Sequence, residues 1–323
     1  MTLKLILILL LGLALIVFGA EWLVEGASSI ARKAGISEFV IGLTIVGFGT
    51  SCPELVVSLT GALQGNADIS VGNVVGSNIF NTLLILGITA LLAPISVTSE
   101  NRRRDMPLNV LVTFLLVLCG MNHTILHLGS SDSMSRVEGI VFLLIFCLYI
   151  YYCFKSGKQK PEVSDNEDSG KKSGLVKSIV LVLAGLAGLI FGGRFFVNSA
   201  TGLARLMGVS DKFIAITILA GGTSLPELAT CIVAAAKHKD QLALGNILGS
   251  NVFNILLILG TSAVITPLSF SAMNLVDTLA LIISAVLVWV FTYTGQKDRI
   301  DRWEGAILLV CYAMYMYWLF IKL

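Results

Sequence analysis

The chain has 323 residues, 56% of them hydrophobic and only 13% charged, with a mean hydropathy of +0.89 and a net charge of +2. A soluble domain carries about 25% charged residues, so this composition excludes a soluble protein and indicates several membrane crossings. The mild positive balance, without any Lys/Arg tract interleaved with aromatics, gives no case for nucleic acid as a partner.

The first apolar run, 3–23, has the outline of a signal peptide, because Lys4 precedes an apolar core and small residues follow. A matching run at 179–197 is internal and cannot be cleaved, so the first is expected to be a retained transmembrane helix. A polar patch, 25–38, then leads into a span at 39–63, interrupted by Gly47, Gly49 and Pro53. After the turn Asn66-Ala67-Asp68, a span at 69–93 carries Gly72-Asn73 and Gly76-Ser77-Asn78-Ile79-Phe80-Asn81. Beyond Pro94 lies a short loop with Arg102, Arg103 and Arg104, followed by spans at about 107–121 and 138–154. Residues 155–174 are rich in Lys, Ser and acids and lack an apolar face, which predicts a disordered cytoplasmic linker. Further spans follow at roughly 175–198, 213–236, 242–266, 273–294 and 303–321.

The same letters occur twice. Gly49-Thr50-Ser51-Cys52-Pro53-Glu54-Leu55 returns 173 residues later as Gly222-Thr223-Ser224-Leu225-Pro226-Glu227-Leu228, and Pro94 returns as Pro267 at the same offset. Arg136-Val137-Glu138-Gly139 matches Arg302-Trp303-Glu304-Gly305 at an offset of 166, so the first copy holds seven extra residues between its fourth and fifth spans. Residues 1–155 and 175–323 therefore form two repeats of five spans, separated by the 156–174 linker. Because five is odd, the second copy enters the membrane upside down. The expected fold is an all-α polytopic membrane protein of ten transmembrane helices in two inverted five-helix repeats, the plan of secondary transporters with a midplane site. With the N-terminus outside, about sixteen of the 22 Lys and Arg fall on the cytoplasmic side. Both termini are thus expected to be external, in a plasma or inner cell membrane.

Each Pro-Glu pair lies in a run that should reject both residues. Proline lacks an N–H and clashes with the carbonyl four residues back, which predicts free carbonyls at Gly49 and Gly222, tolerable at membrane depth only beside something polar or ionic. Glu54 adds a carboxylate, with Thr50 and Ser51 on its own helix face, and Glu227 repeats this with Thr223 and Ser224. The next span supplies Ser77 and Asn81, and its copy Ser250 and Asn254. Every candidate ligand is an oxygen, which suits hard cations such as Ca²⁺ and Na⁺. No Lys or Arg in these spans pairs with the two glutamates, so a cation from outside must. The bland reading, helix-end polarity or packing, is assigned to Glu25, Asn73 and Asn246, and a structural one to Glu138 and Glu304. The six cysteines (Cys52, Cys119, Cys147, Cys153, Cys231, Cys311) show no CxxC spacing and are read as inert thiols. His123, His127 and His238 fall in expected loops.

At G-T-S-x-P-E-L followed by G-N-x-x-G-S-N-x-x-N, present in both halves, the sequence resembles the sodium/calcium exchanger family of the cation/calcium antiporters over nearly its whole length. The resemblance implies exchange of several Na⁺ for one Ca²⁺ by alternating access, with no enzymatic activity and no cofactor beyond the transported ions. It implies ligands at Thr50, Ser51, Glu54, Ser77, Asn81, Thr223, Ser224, Glu227, Ser250 and Asn254, plus the carbonyls of Gly47 and Ala220. The partners implied are Ca²⁺ and Na⁺ as substrates and the lipid bilayer, a monomer being sufficient for transport. Where many microbial relatives and the potassium-dependent branch have Asp, this chain has Asn254, which argues against potassium dependence. Proton/calcium exchange is the runner-up, a passive cation channel the rival from another class, and no HExxH, Ser/His/Asp or Ser/Lys arrangement supports an intramembrane enzyme.

Overall fold

The computed structural model describes residues 2–127, 131–156, 174–208, 220–271, 273–296 and 298–322. Most of the linker and the start of the seventh expected span, 213–219, lie outside the described residues.

Each of the ten expected spans contains a helix among the described residues, the seventh only in its second half. Six are alone long and apolar enough to cross a bilayer: α1 (Thr2–Ala34), α4 (Ala67–Leu92), α6 (Arg136–Ser156), α7 (Leu175–Leu206), α9 (Asp240–Ile265) and α11 (Arg302–Lys322). The second span is a bent pair, α2 (Glu38–Thr50) and α3 (Cys52–Leu63). Three are shorter: α5 (Met106–Gly120), α8 (Leu225–Ala236) and α10 (Leu275–Phe291). The caps agree with the sequence at the last spans. Glu138 accepts the Ser135 amide (2.6 Å) and Glu304 the Asp301 amide (2.7 Å), so both acids cap the helices they open.

Inversion can be read from packing. Along α1 and α7, Gly12 faces Gly192, Gly19 faces Gly185 and Gly26 faces Ser178, so numbers rise on one helix as they fall on the other. These two helices are repeat equivalents, Gly12 matching Gly185 and Gly19 matching Gly192 in sequence. Equivalent helices running antiparallel means the halves are upside down relative to each other. A Cβ on Gly19 would meet the Leu189 amide nitrogen at 2.8 Å, so the absence of a side chain is what lets the backbones meet, as small residues do between membrane helices.

Two short antiparallel ribbons repeat the same symmetry. β1 (Ile95–Ser96) pairs with β4 (Arg299–Ile300), and β2 (Ser133–Met134) pairs with β3 (Leu268–Ser269). In each, the strand after the third span of one half meets the strand before the last span of the other. The ribbons lie at opposite ends of the bundle, β2–β3 at the end where α1 begins and β1–β4 at the end where it finishes. The buried core lies between α2, α4, α8 and α9, where the two copies of the repeated motif face each other.

Candidate cation site

Two helix breaks make the site. α2 stops at Thr50, Ser51 leaves helical geometry (φ −82°, ψ 6°), and α3 resumes at Cys52 with Pro53 in its first turn, the axes meeting at 49°. The second copy repeats this at Ser224 (φ −89°, ψ 8°), where α8 begins with Leu225 and Pro226 after the turn Ala220–Gly222. Proline in a first turn removes an N–H that has no intrahelical partner in any case. The breaks themselves fall at Ser51 and Ser224. Glu54 and Glu227 then occupy first turns, where the exposed amides of the helix end favour negative charge. Both are 0% exposed.

The halves hold each other's acids. Ser51 donates to Glu227 Oε1 and Ser224 to Glu54 Oε1, each at 3.0 Å, and Ser250 adds a longer contact to Glu227 Oε1 (3.4 Å). The second carboxylate oxygen of each, Glu54 Oε2 and Glu227 Oε2, has no partner among the described residues. The same is true of Thr223 Oγ1, Asn254 Oδ1, and both side-chain atoms of the buried Asn81. A buried unpaired acceptor costs about 1–3 kcal/mol, so the unpartnered oxygens among these atoms suit a ligand of positive charge. Among the described residues, no group of three His, Cys, Asp or Glu is placed to hold a metal. A cation held here would rest on the two carboxylates and neutral oxygens.

Thr50 is buried and donates to Asn246 Oδ1 (3.1 Å). The Gly47 carbonyl accepts the Ser51 amide (3.1 Å) and the hydroxyls of Thr50 and Ser250 (each 3.4 Å), so a cation at this oxygen would compete with those donors. Ser77 is buried on α4, one turn before Asn81. The backbone of Ala220 opens the turn preceding Thr223.

Three features lay beyond the sequence reasoning. Asn73 and Asn246 are bound into the site: Asn73 Nδ2 donates to the Glu54 carbonyl (3.2 Å) and Ser58 Oγ (3.0 Å), while Asn246 receives the Thr50 hydroxyl. Asn78 and Asn251 join the halves, since Asn78 Nδ2 donates to the Asn251 carbonyl (3.2 Å), Asn254 Nδ2 to Asn78 Oδ1 (2.9 Å), and Asn251 Nδ2 to Thr82 Oγ1 (2.8 Å). The repetition of the first Asn of G-S-N in both copies was the available signal. Finally, α4 and α9 each contain a π-helical turn, Phe80–Ile85 and Phe253–Leu259, holding Asn81 and Asn254. Such insertions re-aim side chains and recur at functional sites.

A cavity of about 350 Å³ lies beside the centre, lined by Pro53, Val57, Asn73, Arg194, Asn198 and Thr223 among others. It separates α7 from α3. On the opposite side the equivalent helices are closed, with α1 packed against α8 and Lys237 3.9 Å from Glu21.

A model of the family described as sodium/calcium exchanger protein matches residues 4–155 and 177–321. CaxA of Alkalimonas amylolytica is 40% identical over 324 residues, 96% of this chain and 97% of that protein. The sodium/calcium exchanger MaX1 of Methanosarcina acetivorans is 35% identical, covering 97% of this chain and 98% of its own. A solved structure of the sodium-calcium exchanger NCX_Mj, soaked with 2.5 mM Na⁺ and 0.1 mM Ca²⁺, is similar with a TM-score of 0.84 and 31% identity over 98% of this chain and 99% of that one.

Proposed function

The chain belongs to the sodium/calcium exchanger family, and from that premise we propose that it is an antiporter exchanging Na⁺ for Ca²⁺ across the membrane by alternating access. The observation that carries this reading is the pair of fully buried glutamates, one from each inverted half, each bound on one oxygen by the other half's serine and unpartnered on the second. Glu54 and Glu227 together neutralise one Ca²⁺, with Thr50 and Thr223 beside it. Ser51, Ser77, Asn81, Ser224, Ser250, Asn254 and the carbonyls of Gly47 and Ala220 complete sites for Na⁺. Since both ions use the same acids, Na⁺ entry discharges Ca²⁺, and the coupling needs no separate link.

Alternating access is supported by the unequal state of two equivalent surfaces: a cavity parts α7 from α3 while α1 lies closed on α8. With both termini outside and the 155–174 linker in the cytoplasm, the cavity faces the exterior. The protein works as a monomer, each chain containing a whole site.

The test is ⁴⁵Ca²⁺ uptake into proteoliposomes with and without an opposing Na⁺ gradient, with K⁺ and H⁺ gradients scored separately. Uptake is expected only against outward Na⁺, indifferent to K⁺. Uptake without any countertransported ion would establish a channel, and uptake driven by protons alone would establish proton/calcium exchange.

A further inference from the structure

The access cavity carries a charge of the wrong sign for a cation path. Of the described residues lining it, Arg194 alone is charged, and it shares the wall with Thr223 and with Pro226, the neighbour of Glu227. Arg194 lies on the 32-residue α7 near the end of the apolar run 179–197, is exposed, and has no hydrogen bond or ion pair to another described residue. An arginine within an apolar span is costly and is kept where it faces water and serves the path. Vestibules that gather cations are lined by acids, which focus the field inward; this one does the reverse. The inverted repeat supplies an internal comparison. The residues equivalent to Arg194 and Asn198 at the 173-residue offset are Glu21 and Glu25, on the side that is closed here. Glu21 approaches Lys237 there, while Glu25 is exposed.

We propose that Arg194 is a valence-selecting residue of this mouth: it raises the Ca²⁺ concentration needed to load the site from the open side more than it raises the Na⁺ concentration. The physical reason is that a fixed positive potential acts on a cation in proportion to its charge. The Boltzmann penalty for a divalent ion is therefore the square of that for a monovalent one. The open mouth sheds Ca²⁺ and admits Na⁺, and the mirror mouth, with acids at the same positions, gathers Ca²⁺. This rests on the antiporter reading and deepens it by assigning the two mouths unequal preferences without any difference in the site itself.

The experiment measures half-saturating Ca²⁺ and Na⁺ on each face, using right-side-out and everted membrane vesicles, for wild type and the variants R194Q, R194E and R194K. On the face bearing the cavity, R194Q is expected to lower half-saturating Ca²⁺ by about twofold to fivefold at low ionic strength, with R194E lowering it further and R194K restoring the wild-type value. The per-ion change for Na⁺ should be near the square root of the Ca²⁺ change. Raising inert salt from about 20 to 300 mM should shrink the difference, because an exposed charge is screened. A shift equal for both ions, equal on both faces or indifferent to salt would overturn the proposal, as would no shift. Wild-type vesicles lacking Na⁺-driven Ca²⁺ movement would instead overturn the antiporter reading, so the two failures are distinguishable.

Discussion

At the residue scale, the chemistry narrows to four side chains, two acids and two serines. Glu54→Gln or Glu227→Gln leaves one carboxylate facing a divalent ion, and Na⁺-driven ⁴⁵Ca²⁺ uptake is expected to vanish in either variant; wild-type transport in both would remove these glutamates from the mechanism. The serines act across the pseudo-two-fold axis. A hydrogen bond to a charged group contributes about 1.5–3 kcal/mol, so Ser51→Ala and Ser224→Ala should each weaken apparent Ca²⁺ affinity about tenfold, checked by the half-saturating concentration. Near-equal effects of the two are expected, since both contacts measure 3.0 Å. Of this centre, the doubled Pro-Glu and the oxygen-only inventory could be read from letters, because like charges in an apolar run without a base have few explanations. Asn246 could not. An amide outside the G-S-N-x-x-N motif, in a run as apolar as 240–265, reads as packing, and only its 3.1 Å contact with the Thr50 hydroxyl, 196 residues away in sequence, discloses its place.

At the element scale, the spans were legible because membrane depth forces long apolar runs, and the breaks because proline and glycine punctuate them. The π-helical turns were not, since an i→i+5 bond leaves no mark in hydropathy; they change which way Asn81 and Asn254 point after a helix-period argument has placed them beside Ser77 and Ser250. The site's geometry depends on how closely α9 lies on α2. A Cβ on Gly245 would fall 2.2 Å from the Phe39 carbonyl oxygen and one on Gly249 2.2 Å from that of Leu43. Both neighbours are backbone and cannot turn aside. Gly245→Ala and Gly249→Ala are each expected to destabilise the protein by about 1–3 kcal/mol, seen as a lowered Tm in detergent, while Gly193→Ala, with open space around the new methyl, should melt as wild type. An unchanged Tm in the first two would mean that the helices lie farther apart than described.

At the scale of the whole molecule, the proposed exchange sets protons and Ca²⁺ in competition for one pair of acids. Protonating either carboxylate removes charge that Ca²⁺ needs, so uptake at a fixed Na⁺ gradient should slow as pH falls and recover as it rises. Initial rates across a pH series check this, and indifference to acid would count against a shared site. A second expectation concerns which parts move. Ser96 and Arg299 are partners in the β1–β4 ribbon, so a double variant, Ser96→Cys with Arg299→Cys, should form a disulfide under mild oxidation. Transport is expected to persist when it is closed, with a reductant as control; loss on oxidation and recovery on reduction would place the rearrangement within the ribbon-tied helices.

That ribbon and its counterpart act like rivets through a chassis, one at each end, each fastening a strand of one half to a strand of the other. The crossed pair α1 and α7 carries no such fastener; its two members lie chiefly on each other along a glycine seam. If the proposed exchange moves one part against the rest, this lightly fastened pair is the candidate bar and the riveted helices the frame, and its travel would decide which compartment the ions meet.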